Sequence, residues 1–319
     1  MGPTDKRIGK FGIEPRELFR VAGLSIPWWV NSHGAEDGSD PAKVADSIEI
    51  HKGRLPVILC APHGGRERPD HIPNRTRGVF AFDTNTQELA SACADTFKKR
   101  FGQPIHLVIC KLHRTKLDCN REPKEATNDH SIVLMAWERY HAAIAAAARS
   151  IREQYGSGLL IDLHGHGHKS QTLELGYGLE AEELALPESS LDSGAILAKS
   201  TLRHLVKKKG ITHSLLLRGA SSLGALLEKA GYRASPSPSI PVPTTPFFSG
   251  GYTIRRHTSE HEHLTGIQIE THSAGVRDSA PNRQAFSEAL ATACTTFLKT
   301  HLDHDLPTNP SSPDKKDSR

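Results

Sequence analysis

No run in the 319-residue chain approaches the roughly 18 consecutive apolar residues of a membrane span. The opening stretch MGPTDKRIGKFGIEPREL also lacks the apolar segment of a secretory signal. A soluble, cytoplasmic protein without membrane partners is the expectation from these two absences. Cysteine is sparse: Cys60, Cys93, Cys110, Cys119 and Cys294 are odd in number and contain no CxxC pair. Most of them lie in apolar runs such as VILCA and LVICKL, which suits reduced, buried thiols better than a disulfide framework. An excess of one charge is missing too, since 40 basic residues face 36 acidic ones, too even a balance to build a strong field for nucleic acid or anionic lipid. The one dense basic run, Lys207-Lys208-Lys209, closes a helix-like stretch, where cations complement the exposed carbonyls. No internal repeat is visible. Hydrophobic residues at 37% and charged residues at 24% are ordinary for a globular chain, which argues against wholesale disorder.

Residues 1–50 are polar and broken by Pro, Gly and Asp, apart from LFRVAGLSIPWWV, and read as an extension packed on a main domain spanning 51–304. The tail 305–319 holds a single large aliphatic residue and is expected to be disordered. Between them, aliphatic runs alternate with helical patterns. Strands are expected at 55–61 (LPVILCA), 104–112 (PIHLVICKL), 158–165 (GLLIDLHG) and 265–272 (TGIQIETH). Helices are expected at 85–101, 135–155, 190–210, 221–231 and 281–302, the last with Pro at its start. The proline-rich stretch SPSPSIPVPTTP (235–246) reads as a loop. Strands alternating with helices imply crossover connections, hence an α/β fold: a mixed, mostly parallel central sheet with helices on both faces.

In such sheets ligands gather at the carboxyl edge of the strands. His63 follows the first of these strands, His164 ends the strand at 158–164, and Glu270 lies near the end of the last one. Two imidazoles and a carboxylate with an open position for water make up a catalytic zinc site. The third ligand has two candidates: Glu67, four residues beyond His63, and Asp83, placed by the pattern at the N-cap of the helix 85–101, where the bland reading is a plain cap. His166 and His168 would share a face with His164 if the strand continued, but Gly165 and Gly167 argue that it has ended, leaving them as pocket wall, as support for the ligands, or in solvent. HRTKLDCNRE (113–122) packs Arg114, Asn120 and Arg121 together. The planar fork of Arg121 beside Asn120 suits an acidic substrate, and Arg114 suits the oxyanion of a tetrahedral intermediate; the bland alternative is a surface ion-pair loop. HTSEHEH (257–263), with His-x-His spacing, offers a second possible metal cluster, but its composition favours a hairpin loop, and two zinc ions per chain would decide for the cluster.

Taken in order, APHGG, FDTNTQELA, RTKLDCNR, RYHAAIAA, IDLHGHGH, FFSGGYTIRRH and GIQIETH resemble the N-formylglutamate amidohydrolase family over about residues 54–300. That family is similar in fold and site to the zinc carboxypeptidases and the aspartoacylase-type deacylases. The specific parts are RxxxDxNR and the strand ending in Glu270 near a GGY element; a lone PHGG or DLHG would be weak. The resemblance implies a Zn2+ centre on His63, Asp83 and His164, with Glu270 as general base. It also implies Arg114 on the scissile carbonyl, and Asn120 with Arg121 on the carboxylate of a small acidic N-acyl amino acid. Carboxypeptidase relatives carry a glutamate three residues after the first histidine; here that position is Arg66, so Asp83 is preferred to Glu67. The implied reaction is hydrolysis of an N-formyl amino acid to formate and the amino acid. The rivals are deacylation of another N-acyl amino acid or short peptide, and a metal- or ligand-binding protein without catalysis. The segment from about 170 to 246 looks idiosyncratic and is expected to shape the mouth of the pocket.

Overall fold

The computed structural model describes residues 44–307. Most of the segment read as an N-terminal extension, and the tail beyond residue 307, lie outside the described residues. Among the described residues there are seven strands: β1 (Ile48–His51), β2 (Val57–Ala61), β3 (His106–Cys110), β4 (Gly158–Gly165), β5 (Leu173–Gly176), β6 (Ala234–Ser235) and β7 (Leu264–Thr271). They form one sheet in the order β1-β3-β2-β4-β7-β5-β6. The pairs β2–β3, β2–β4, β4–β7 and β5–β6 are parallel, whereas β1–β3 and β5–β7 are antiparallel. The mixed, mostly parallel α/β sheet expected from the alternating pattern is therefore the one observed. The sheet begins with Ile48, whose register opposite Cys110 continues to His51 opposite Leu107.

The helices are α1 (Thr86–Phe101), α2 (Pro123–Thr127), α3 (Ser131–Tyr155), α4 (Ala181–Leu184), α5 (Glu188–Leu191), α6 (Gly194–Lys199), α7 (Arg203–Lys209), α8 (His213–Arg218), α9 (Leu223–Lys229), α10 (Tyr252–Glu260) and α11 (Ala280–Leu302). Because side chains alternate along a strand, β4 turns Leu159, Ile161 and Leu163 to one face, where they pack in one buried cluster with Leu89 and Phe97 of α1 and Phe286, Leu290 and Phe297 of α11. Each such fully buried side chain stabilises the fold by about 1.5–3 kcal/mol. The other face of β4, carrying Leu160, Asp162 and His164, lies on the side of α3 and α10. Helix α3 buries Val133, Ala136, Trp137, Tyr140, Ile144, Ala147, Ala148 and Ile151 at three- and four-residue spacing, one continuous stripe. Gly156, at φ 75, ends it in the left-handed conformation that glycine adopts without strain.

All five cysteines are free and buried. Burial pushes the thiols of Cys60, Cys93 and Cys119 up, and that of Cys294 to about 12, so they are protonated and inert at neutral pH. Among the described residues no helix is long and apolar enough to cross a membrane.

Three sequence expectations change. The helix expected over 190–210 is broken into α5, α6 and α7. HTSEHEH is not a hairpin loop: its first four residues complete α10, and Leu264 immediately after it opens β7. The reason is that buried Thr253, Ile254, His257 and Thr258 recur at helical spacing, a pattern hidden by their polarity. Strand β5, four buried residues in a segment read as idiosyncratic loop and helix, pairs antiparallel with β7 and sets Glu174 opposite Glu270.

Candidate active site

The chain leaves β2 for β3 on one side of it and later returns to β4 on the other. Such a reversal of strand order opens a crevice at the carboxyl ends, where parallel sheets bind ligands. His63 stands just beyond β2 and His164 at the end of β4, on the two walls of this crevice, and the register places His164 beside Glu270 of β7. Three chain segments far apart in sequence thus converge because strands β2, β4 and β7 are neighbours.

His63, Asp83 and His164 are buried, and one donor atom from each lies within 4.8 Å of the others. His164 Nδ1 is 3.2 Å from Asp83 Oδ2, and His63 Nδ1 is 3.5 Å from the same oxygen. The two rings meet edge to face, with centroids 4.7 Å apart. Each ring is braced on its far side by a carboxylate. His63 Nε2 donates to Asp118 Oδ1 at 2.7 Å, and His164 Nε2 lies 2.9 Å from Asp162 Oδ2. In the neutral form that can ligate an ion, His63 donates from Nε2 to Asp118 and carries a lone pair on Nδ1; that atom is buried and has no hydrogen-bond partner. A lone pair facing a carboxylate oxygen is repulsive unless a cation lies between them. Donor atoms on a tetrahedral zinc at about 2.0–2.1 Å are separated by about 3.3–3.4 Å, close to the two spacings seen here. The residues therefore fit a divalent ion; Asp118, hydrogen-bonded to His63 Nε2, is the outer carboxylate that orients an imidazole ligand, and Asp162 stands beside His164 as a counter-charge.

Burial alone would favour the neutral form of Asp83, but the charge of His63 and the hydrogen bond of His164 outweigh it and hold the carboxyl far below its usual range. Burial likewise disfavours imidazolium at His164, yet Asp162, then Asp83 and Glu270, lift its affinity for a proton well above normal. Asp118, despite burial, is held low by His63 and by Arg114. Glu270 behaves in the opposite way. Burial, reinforced by Asp83 and Glu174 and opposed by His164, pushes its carboxyl up to about 8. Its Oε1 accepts from Gln268 Nε2 at 3.0 Å and lies 3.9 Å from His164 Nδ1. A carboxyl poised near neutrality beside the ligand cluster has the affinity required of a group that both takes and returns a proton.

The cluster forms the floor of a cavity of about 820 Å³. Arg114 and Arg121 line it as the sequence suggested, and so do Arg255 and Arg256 of α10, from a motif that carried no assigned role. Arg114 donates from Nε to Asp118 Oδ2 at 2.9 Å and from Nη1 to the Ala81 carbonyl at 3.2 Å, and its Nη2 makes no hydrogen bond among the described residues. Arg121, about one-third exposed, is steadied by Glu125 and by the Asn120 carbonyl. Asn120 is turned inward: its Oδ1 accepts from Thr253 N at 2.8 Å, and its Nδ2 faces His164 Nε2 and Gln268 Oε1. It ties the first turn of α10 to the ligand cluster. Gly251 makes this possible, because a Cβ there would lie 2.0 Å from Asn120 Nδ2.

Other expectations resolve as follows. Asp83 is not the N-cap of α1: the helix starts at Thr86 after Asn85, and the Asp83 carboxylate points instead at His164 Nδ1 and the Gly165 amide. Glu67 pairs with Lys111 on the surface at 3.6 Å and stands apart from the ligand cluster. His166 is buried, with Nε2 on the Thr172 carbonyl and Nδ1 accepting from the His168 amide. His168 binds Glu174 at 2.6 Å and stacks on Phe248, which lines the cavity. Asp118 and Asp162 were overlooked as carboxylate braces. A signal existed for Asp162, which shares the β4 face of His164 by period two and has no reason to interrupt an apolar run unless it meets a partner.

No protein-family model matches the chain, and no curated protein does. Among solved structures, the chain is similar to an N-formylglutamate amidohydrolase from Ralstonia eutropha JMP134, with 13% identity, a TM-score of 0.45, and coverage of 78% of this chain and 95% of that one. It is similar also to the gene product Atu2144 from Agrobacterium tumefaciens, at 13% identity and a TM-score of 0.42, over 77% and 92% of the two chains. The likeness is a distant one in fold and carries no argument about the chemistry.

Proposed function

We propose that this chain is a metal-dependent amidohydrolase that cleaves an N-acyl amino acid, with an N-formyl amino acid such as N-formylglutamate as the substrate first to be tried. The observation that carries the reading is the unpaired, buried Nδ1 of His63 facing Asp83 and His164, with Glu270 at the same cluster. His63, Asp83 and His164 would hold the ion, taken as Zn2+ from its two-imidazole, one-carboxylate donor set. Such an ion polarises a carbonyl and acidifies water to a pKa of about 7. Glu270 takes the proton of the attacking water as its oxygen bonds to the acyl carbon, then delivers it to the nitrogen as the C–N bond breaks. Arg114 steadies the carbonyl oxygen through its free Nη2. Arg121, with Arg255 and Arg256 above it, receives the carboxylate of the amino acid. Asn120 contributes by holding His164 and α10 in place. Reduced, buried thiols suit a cytosolic setting.

A volume of about 820 Å³ lies toward the upper end of the about 300–1,000 Å³ typical of ligand pockets. That favours, as a second reading, a larger acyl group or a short peptide. Rates of formate release from N-formylglutamate, set beside hydrolysis of N-acetyl, N-succinyl and dipeptide substrates, decide between them by kcat/KM. Absence of hydrolysis across that panel by the zinc-loaded chain would overturn the enzymatic reading.

Two outcomes are expected here. Arg121→Ala should raise KM for an acidic substrate about 10- to 100-fold, the worth of a hydrogen bond to a charged group, and leave the amide analogue of that carboxylate unaffected. Equal losses for both would remove Arg121 from substrate recognition. The second outcome concerns protons. His164 in the metal-free chain holds its proton to a pH well above the ordinary histidine value, so this stabilising charge is present below about 6.5 and is lost as pH rises through the elevated value. Binding an ion at Nδ1 must expel that proton, and affinity therefore climbs with pH across the same window. Calorimetric zinc titrations at pH 7, in buffers of different ionisation enthalpy, should register proton release; none would contradict the assignment of His164.

A further inference from the structure

Helix α10 carries a second group of unspent donors. His257 and His261 are four residues apart and Glu260 three beyond His257, so all three share one face at its carboxyl end. The imidazoles stack at 7° with centroids 5.9 Å apart, and one donor atom from each of the three residues lies within 4.8 Å of the others.

The tautomers follow from a chain of hydrogen bonds. His141 Nε2 lies 3.0 Å from the Cys119 carbonyl, which can only accept, so this nitrogen carries the proton. With Nε2 on that carbonyl, Nδ1 on His257 and, among the described residues, no carboxylate against it, the buried ring is neutral and its Nδ1 is an acceptor. His257 Nε2, 3.0 Å away, must donate to it. Neutral His257 is thereby left with a lone pair on Nδ1, and that atom is fully buried without a partner; His261 Nε2 is buried and unpaired as well. The other cluster of this type, His166 with His168 and Glu174, differs: both nitrogens of His166 are already engaged inside the protein.

We infer that His257 Nδ1, His261 Nε2 and the Glu260 carboxylate form a second site for a divalent transition ion, with Zn2+ the best match. Two imidazoles one helical turn apart on one face are a known zinc-binding arrangement, and a carboxylate completes three ligands. Glu260 uses Oε1 for Arg256 at 3.0 Å and keeps its other oxygen for the ion. The bond from His257 to His141 orients the ligand ring as an outer partner does. It ends on the carbonyl of Cys119, between Asp118 and Asn120, while Ser259 and Glu260 line the cavity. An ion here stiffens the loop that braces the first site and fixes one rim of the cavity.

Metal content of the full chain tests this independently of the catalytic reading. After loading with excess Zn2+ and gel filtration, the wild type should retain two equivalents, His261→Ala one, His63→Ala one, and the double variant none. His261 sits at the helix end and is partly exposed, so its removal is compatible with folding. If that variant does not fold, His261→Gln, checked by circular dichroism, is loaded in its place and should also retain one equivalent. A single equivalent that disappears with His261→Ala and survives His63→Ala supports the second site and sinks the first. One equivalent that depends only on His63, or two that persist in the His261 variants, overturns the inference.

Discussion

Glu270→Gln is expected to lower kcat about 10²- to 10⁴-fold, the usual contribution of a positioned acid–base group, without loss of the ion bound by His63, Asp83 and His164. The amide has the shape of the acid and can still accept from Gln268 Nε2, so the local packing survives. In the metal-free chain stability should hardly change either. A carboxyl pushed up to about 8 is largely protonated at neutral pH, and a neutral amide replaces a largely neutral acid. Thermal unfolding, zinc content and steady-state kinetics on the same preparation separate these statements. Turnover within tenfold of wild type would remove Glu270 from the proton path, while loss of the ion would make it a ligand.

The second large effect is on a residue that binds neither ion nor substrate in this account. Asp118 is fully buried, accepts from His63 Nε2, from Arg114 Nε and from the Asn120 amide, and has Arg75 Nη1 3.6 Å away. Asp118→Ala strips a counter-charge from two buried guanidinium groups, and losing one member of such a network costs about 3–5 kcal/mol. For a domain of this size that corresponds to a fall in Tm on the order of 10 °C. Asp118→Asn keeps most of the hydrogen bonds and isolates the electronic effect. It should weaken zinc about 10- to 100-fold, the usual worth of a carboxylate behind a ligating histidine. Melting curves for the alanine variant and competition with a chelator for the asparagine variant are the measurements. Unchanged zinc affinity in Asp118→Asn would mean that His63 does not ligate through Nδ1.

Much of this arrangement was legible in the chain. The aliphatic runs of β2, β3, β4 and β7 are strongly periodic and bounded by glycine or proline, so the parallel core and its carboxyl edge followed from them. His63, His164 and Glu270 come together at that edge because each stands at the end of a recognisable strand. What stayed hidden depends on contacts that sequence order does not express. Asp83 was preferred as the third ligand and placed at the N-cap of α1; the helix starts after Asn85 instead, and only the fold shows the carboxylate meeting His164, a residue 81 positions away. Asn120 was read as facing substrate; it lines the cavity, and sequence order does not express that its amide also meets Thr253, His164 and Gln268. Helix α10 escaped because six of its nine residues, Thr253, Arg255, Arg256, Thr258, Ser259 and Glu260, are polar or charged without being ring-bearing; only packing against β7 and α3 gives it a buried face. Its arginines were missed with it, and its histidines, noted as a possible metal cluster, were set aside as a hairpin loop.

The whole account depends on an ion shared by residues from two strand ends and the loop before α1. Diffraction from zinc-loaded crystals, collected on both sides of the zinc absorption edge, locates such an ion without reference to activity. We expect an anomalous peak within about 2.0–2.2 Å of His63 Nδ1, His164 Nδ1 and an Asp83 oxygen. A zinc-loaded crystal with no peak there, and with His63 Nδ1 bonded to a protein group instead, would contradict it.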